Sequence, residues 1–148
     1  DWVDGAVFAG TRVCGQAFQN AIGCLDLATR RTEWTVPFTG VNGVVGDQNA
    51  LYGVDAVGKV SAFETATGQA VWTQPGLTFR GVTGPVLLGQ TLMVGDFEGY
   101  VHWLSRANGA VIARMATDGS PIVGKPLLVN GTAVAITQRG SLFAWRPQ

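Results

Sequence analysis

Gly99-Tyr100-Val101-His102-Trp103-Leu104-Ser105 decides how this chain is read, because the same frame occurs three more times. Gly58-Lys59-Val60-Ser61-Ala62-Phe63-Glu64 precedes it and Gly140-Ser141-Leu142-Phe143-Ala144-Trp145-Arg146 follows it, while Asn20-Ala21-Ile22-Gly23-Cys24-Leu25-Asp26 opens the series. The anchors at 20, 58, 99 and 140 lie 38, 41 and 41 residues apart. A period of about 40–45 residues matches one four-stranded propeller blade.

Working outward from that frame, each unit is built of strands and short turns. Ala50-Leu51-Tyr52-Gly53-Val54, Thr91-Leu92-Met93-Val94 and Thr132-Ala133-Val134-Ala135-Ile136 are short, apolar and rich in β-branched or aromatic residues. One turn runs from Asp55 to Gly58 and again from Asp96 to Gly99. A second, at Thr67-Gly68 and Asn108-Gly109, leads into Gln69-Ala70-Val71-Trp72-Thr73 and Ala110-Val111-Ile112-Ala113-Arg114. Glycines recur too often for a helix, and no window carries a 3.6-residue period. Consecutive apolar residues such as Ala62-Phe63 and Trp103-Leu104 mean that both sheet faces are covered, as stacked blades would cover them.

The expected fold is therefore all-β, a β-propeller of about three and a half four-stranded antiparallel blades in units of about 1–38, 39–79, 80–119 and 120–148. The first unit has too little sequence before Val7 for an innermost strand, and the last stops at Gln148, where an outermost strand would begin. Closed rings hold about 4–8 blades, so the chain is expected to be the C-terminal part of a larger propeller.

Composition narrows the function. Of 148 residues, ten are basic and ten acidic, giving zero formal net charge. Nucleic-acid and anionic-membrane binders need a surplus of Lys and Arg, so neither class of partner is expected. No apolar run approaches the roughly 20 residues that cross a bilayer. The chain begins at Asp1 without a basic and apolar leader, so any targeting signal is expected to have been removed or to lie outside it.

The two cysteines can be placed by the repeat. A three-residue loop Phe18-Gln19-Asn20 puts Asn20 in the left-handed column of Gly58, Gly99 and Gly140. That register pairs Ala17 with Ala21 and Cys14 with Cys24, in a cross-strand pair with Cα atoms about 4.5 Å apart. A disulfide is expected, and with it an oxidising compartment such as the bacterial periplasm. Two buried free thiols are the alternative.

Reactive constellations are not evident. His102, the one histidine, lies mid-strand between Val101 and Trp103, where a packed residue is a better reading than a base or ligand. Two Cys and one distant His are too few for a metal site. Gly40, Gly43 and Gly46 lack the lysine and helix of a phosphate loop. Asp26, Asp55, Asp96 and Glu98 fall at repeated turn positions, where Asx hydrogen bonds explain them without calcium or catalysis. Asn130-Gly131-Thr132 is read as a turn rather than a glycosylation site. Trp34 and Trp72 share a column, which favours packing between blades over cofactor stacking. No catalytic, cofactor-binding or metal residue is expected.

Ala62-Phe63-Glu64-Thr65-Ala66-Thr67-Gly68-Gln69-Ala70-Val71-Trp72, and Leu25-Asp26-Leu27-Ala28-Thr29 through Glu33-Trp34, resemble the repeat of eight-bladed pyrroloquinoline-quinone-type propellers. Val71-Trp72-Thr73-Gln74, Arg80, Thr83 to Leu87, Val94-Gly95-Asp96 and Glu98-Gly99-Tyr100-Val101-His102-Trp103-Leu104 are similar to the C-terminal half of the BamB family of outer-membrane β-barrel assembly lipoproteins. Arg30 stands where that repeat expects a turn glycine. The resemblance implies a non-catalytic scaffold without cofactor, on the periplasmic face of the outer membrane of a Gram-negative bacterium and held there by an upstream lipid anchor. It also implies BamA and other assembly-machinery proteins as partners, bound through propeller loops. BamA docking is attributed to blades that would precede residue 1. Within this chain Leu77, Phe79 and Arg80 form a repeat-related loop with an apolar-plus-Arg pattern and are the candidate contact residues.

The alternative is a fragment of a quinone-dependent dehydrogenase, which shares the repeat but would need a cofactor-stacking Trp, calcium ligands, a catalytic Asp and a vicinal Cys pair. Half a propeller would expose two blade faces, so self-association of the chain, or cover by another chain, is also expected.

Overall fold

The computed structural model describes residues 2–17 and 20–147. The first sheet runs β1 (Trp2–Ala9), β2 (Arg12–Ala17), β3 (Ala21–Asp26), β4 (Arg31–Pro37), and the second β5 (Gly40–Gly46), β6 (Ala50–Asp55), β7 (Val60–Glu64), β8 (Ala70–Gln74). The third runs β9 (Val86–Leu88), β10 (Thr91–Gly95), β11 (Tyr100–Ser105), β12 (Val111–Ala116), and the fourth β13 (Leu127–Val129), β14 (Thr132–Ile136), β15 (Leu142–Trp145). Each strand pairs antiparallel with its neighbours in chain order, so the four sheets are up-and-down blades of a propeller.

One expectation is corrected. The first unit does have an innermost strand, β1, so the described residues form three four-stranded blades and one three-stranded blade. Asp4-Gly5 interrupts the apolar run and hides the strand from a reading of periodicity. The ladder tolerates the interruption because its register shifts between Val3 and Val7, a bulge that recurs between Gly40 and Val44 in β5.

Three apolar cores lie between the four sheets. Val7, Cys14, Ile22 and Cys24 of blade 1 meet Val44, Leu51 and Phe63 of blade 2. Tyr52, Val54, Val60 and Ala62 of blade 2 meet Leu92, Val94 and Leu104 of blade 3. Val86, Met93 and Val101 of blade 3 meet Ala133 and Ala135 of blade 4. Strands β6, β7, β10 and β11 of the middle blades thus bury side chains on both faces, as their unbroken apolar runs require, while the outer strands β8 and β12 are largely exposed.

Indole clasps join successive blades. Trp34 on β4 donates from Nε1 to the carbonyl of Thr65 at 2.8 Å, and Trp72 on β8 donates to Arg106 O at 2.9 Å. Each ring lies over a turn glycine of the following blade. A Cβ added to Gly68 would fall 2.4 Å from the Trp34 ring, and one added to Gly109 the same distance from Trp72. Both glycines have positive φ, and Arg30 takes the corresponding left-handed conformation in blade 1, at φ +58. A bulge follows the pairs Cys24–Trp34, Ala62–Trp72 and Trp103–Ala113, which fixes Ala113 as the third member of the tryptophan column.

Cys14 faces Cys24 across the β2–β3 ladder, in register with Ala17 facing Ala21, and the two form a disulfide with Cα atoms 4.0 Å apart. Both are buried. Phe18 and Gln19 of the adjoining hairpin loop lie outside the described residues, and the expected conformation of Asn20 rests on them.

Candidate functional site

The loop leaving blade 2 carries the candidate contact residues, and the structure gives them three different roles. Leu77 is buried in the core between blades 2 and 3. Arg80 is half-buried and turned inward to two carboxylates, with Nε 2.7 Å from Asp96 Oδ2 and Nη2 2.8 Å from Glu98 Oε2. Phe79 alone points outward, with 87% of its surface exposed.

Phe79 is also held in an uncommon conformation. Its φ is +62, a left-handed value that brings the Cβ of a bulky residue against its own backbone and costs about 1–2 kcal/mol. Neighbours enforce it: Phe79 N–H donates to Val57 O at 2.7 Å, and Arg80 O accepts from Phe97 N–H at 3.0 Å. Val57 and Phe97, in the two adjoining turns, are themselves exposed. Phe38 and Ser120 occupy the same column, since Thr39 O and Pro121 O accept the N–H groups of Ala56 and Gln138 as Arg80 O accepts that of Phe97. Both are buried, Phe38 edge-on against Phe63. Of these three blades only blade 3 turns this position outward.

Beneath the loop lies a buried polar cluster. Asp96 Oδ1 closes the turn by accepting the N–H groups of Glu98 and Tyr100, both at 2.9 Å. Its Oδ2 accepts Arg80 and also His102 Nε2 at 2.8 Å. An ionised carboxylate is acceptor-only, so His102 donates from Nε2. Burial would raise the Asp96 pKa, but hydrogen bonds from His102, Tyr100 N–H and Arg80 outweigh it and hold the group below its usual range. Burial lowers the His102 pKa, against the pull of Asp96. Arg80 and Arg114 both lie over the Tyr100 ring, 5.7 and 4.5 Å from its centre. The sequence pointed to Arg80 and singled out Asp96 and His102 separately, but did not join them. The available signal was departure from the repeat: Arg80 stands where the other units have Thr39 and Pro121, and His102 where they have Ser61 and Phe143.

Four meander blades, the first three clasped by tryptophans, define a repeat β-propeller. A family model described as "Outer membrane protein assembly factor BamB" matches residues 1–74 and 60–148, and the chain belongs to that family. An outer membrane protein assembly factor BamB from Burkholderia pseudomallei (strain K96243) is 41% identical over 139 residues, which cover 94% of this chain and 36% of that relative. One from Bordetella pertussis (strain Tohama I) is 40% identical, covering 99% of this chain and 38% of the relative. The crystal structure of BamB from Moraxella catarrhalis superimposes with a TM-score of 0.88 at 26% identity, over 95% of this chain and 42% of that one. The chain thus spans well under half the length of these relatives.

Proposed function

We propose that the chain forms part of a non-catalytic, periplasmic scaffold of the outer-membrane β-barrel assembly machinery, lipid-anchored upstream, that binds BamA and other machinery proteins through propeller loops. The observation that carries this is the match to the assembly-factor family along both halves of the chain. Phe79 adds a physical reason to place a contact here: a strained, solvent-facing aromatic on a clamped loop is pre-organised for a partner's apolar pocket. The test is binding of the full-length protein to the periplasmic domains of BamA, with and without Phe79→Gly. Binding weakened at least tenfold by the substitution is expected. Undiminished binding removes this loop from the interface, and no binding in the unaltered protein removes BamA as partner.

Leu127, Val129, Ile136 and Leu142 are exposed together on one face of blade 4. Apolar residues in that number belong under another blade, so the isolated chain is expected to self-associate, and a stable monomer by light scattering contradicts that.

A further inference from the structure

Positions that break a structural repeat are where a fold built for packing has been adapted to something else. One such break is the cross-strand pair His102–Arg114. Its counterpart in blade 2 is Ser61–Thr73, whose hydroxyls lie 3.2 Å apart and bond to each other, closing the position. In blade 3 the two side chains turn away from each other, His102 to Asp96 and Arg114 to the Tyr100 ring. A cavity of about 310 Å³ opens beside them, walled by Gly76, Leu77, Val111, Arg80, His102 and Arg114.

The cavity is chemically one-sided. Leu77 and Val111 supply an apolar wall, and two guanidinium groups and an imidazole supply the other. Arg80 is already matched by Asp96 and Glu98. Arg114 shares the Tyr100 ring with Arg80 but has no carboxylate partner among the described residues. Arg80 carries two carboxylates and the exposed Arg114 none among the described residues, so of the two guanidinium groups gathered on the Tyr100 ring Arg114 is the one open to an anion. The planar fork of Arg matches a carboxylate by paired N–H···O bonds, and the apolar wall fits a carbon side arm attached to it.

We propose that this cavity is a binding site for a carboxylate borne on an apolar arm, with Arg114 as its principal ligand. Such a group is found at the C-terminus of a polypeptide or on an Asp or Glu side chain. The site is independent of the scaffold assignment, and a small molecule suffices to probe it.

His102 is the one histidine of the chain, so its ring resonances give an unambiguous probe at the cavity wall. The full chain is titrated at pH 7.5 and fixed ionic strength with N-acetyl-leucine, N-acetyl-leucinamide and the α-amide of N-acetyl-glutamic acid. Saturable shifts of the His102 ring are expected with at least one of the two acids and not with the leucinamide, and the tighter acid identifies the source as chain terminus or side chain. Arg114→Gln should weaken the response at least tenfold, Arg114→Lys less, and Arg146→Gln, at another blade, not at all. Equal responses to acid and amide, no saturable response to either acid, or an undiminished response in Arg114→Gln overturns the site. If Arg114→Gln does not fold, the contrast between acid and amide in the unaltered chain still decides.

Discussion

Blades 2 and 3 make the same turn with the same residue and use it differently. Asp55 Oδ1 accepts the N–H groups of Val57 and Lys59, as Asp96 Oδ1 accepts those of Glu98 and Tyr100. Beyond that oxygen the two diverge. The second oxygen of Asp55 lies 3.6 Å from an exposed Lys59, a surface pair of small worth. The second oxygen of Asp96 is fully buried between Arg80 and His102. The repeat accounts for the first oxygen and says nothing about the second. What distinguishes blade 3 enters at the positions around the turn: Arg80, Tyr100, His102 and Arg114.

The largest effect should come from breaking the buried end of that comparison. Asp96→Ala strips a buried imidazole of its acceptor and a half-buried guanidinium of one of its two carboxylates and is expected to cost about 3 kcal/mol, whereas Asp55→Ala should cost about 1 kcal/mol, the worth of its turn hydrogen bonds. Urea unfolding of both variants measures the difference, and equal losses would mean that Asp96 is no more than a turn cap. Next comes the clasp on the other side of blade 3. Trp72→Ala removes a ring packed on Gly109 and a bond to Arg106 O, for a loss of about 3 kcal/mol.

Acid should then separate the two blades more finely. A group whose folded pKa lies below its unfolded one stabilises the fold fully above the unfolded value, and that contribution is lost as pH falls toward the folded value. For His102 the loss begins near 6.5 and continues downward, and for Asp96 it begins near 3.8. Stability should therefore fall on acidification from pH 7, and His102→Gln should flatten the first part of that slope. An unchanged slope in the variant would show that His102 is not the group responsible. The smallest stability effect is expected from Phe79→Gly, which relieves a left-handed side chain and exposes no core. It should leave stability unchanged or raise it by up to about 1 kcal/mol while weakening partner binding, a combination that a residue needed for folding cannot give.

Much of the architecture could be read from spacing alone. The anchors at 58, 99 and 140 locate three blades because a four-stranded meander needs left-handed residues at fixed intervals. Cys14 and Cys24 followed from hairpin register, since antiparallel pairing leaves one opposite number for each residue. β1 escaped because a bulge absorbs Asp4-Gly5, and periodicity cannot register a residue that the ladder skips. The polar cluster escaped for a different reason. Arg80 reaches Asp96 because β9 and β10 double back antiparallel and bring the residues before the one beside those after the other, and burial of the carboxylate depends on packing that no local pattern encodes. The same holds for Leu77 and Phe79, two apolar residues of one loop that face opposite ways.

The indole clasps give the array a direction. Each ring reaches forward from the outer strand of one blade to the turn of the next, and at the second joint the bond from Gln74 Nε2 to Gly109 O and the Arg106–Asp47 ion pair add to it. Where the column reads Ala113 that indole is missing, and a cleft of about 730 Å³ is lined there by Trp103, Ile112, Met115, Trp145 and Pro147. In a stack whose units hold only their neighbours, strength is set joint by joint and the weakest one sets where the stack opens. Blades 1 to 3 are thus bound by an indole at each joint, while at the seam beside Ala113 the indoles of Trp103 and Trp145 meet edge-on instead, 5.6 Å between ring centres.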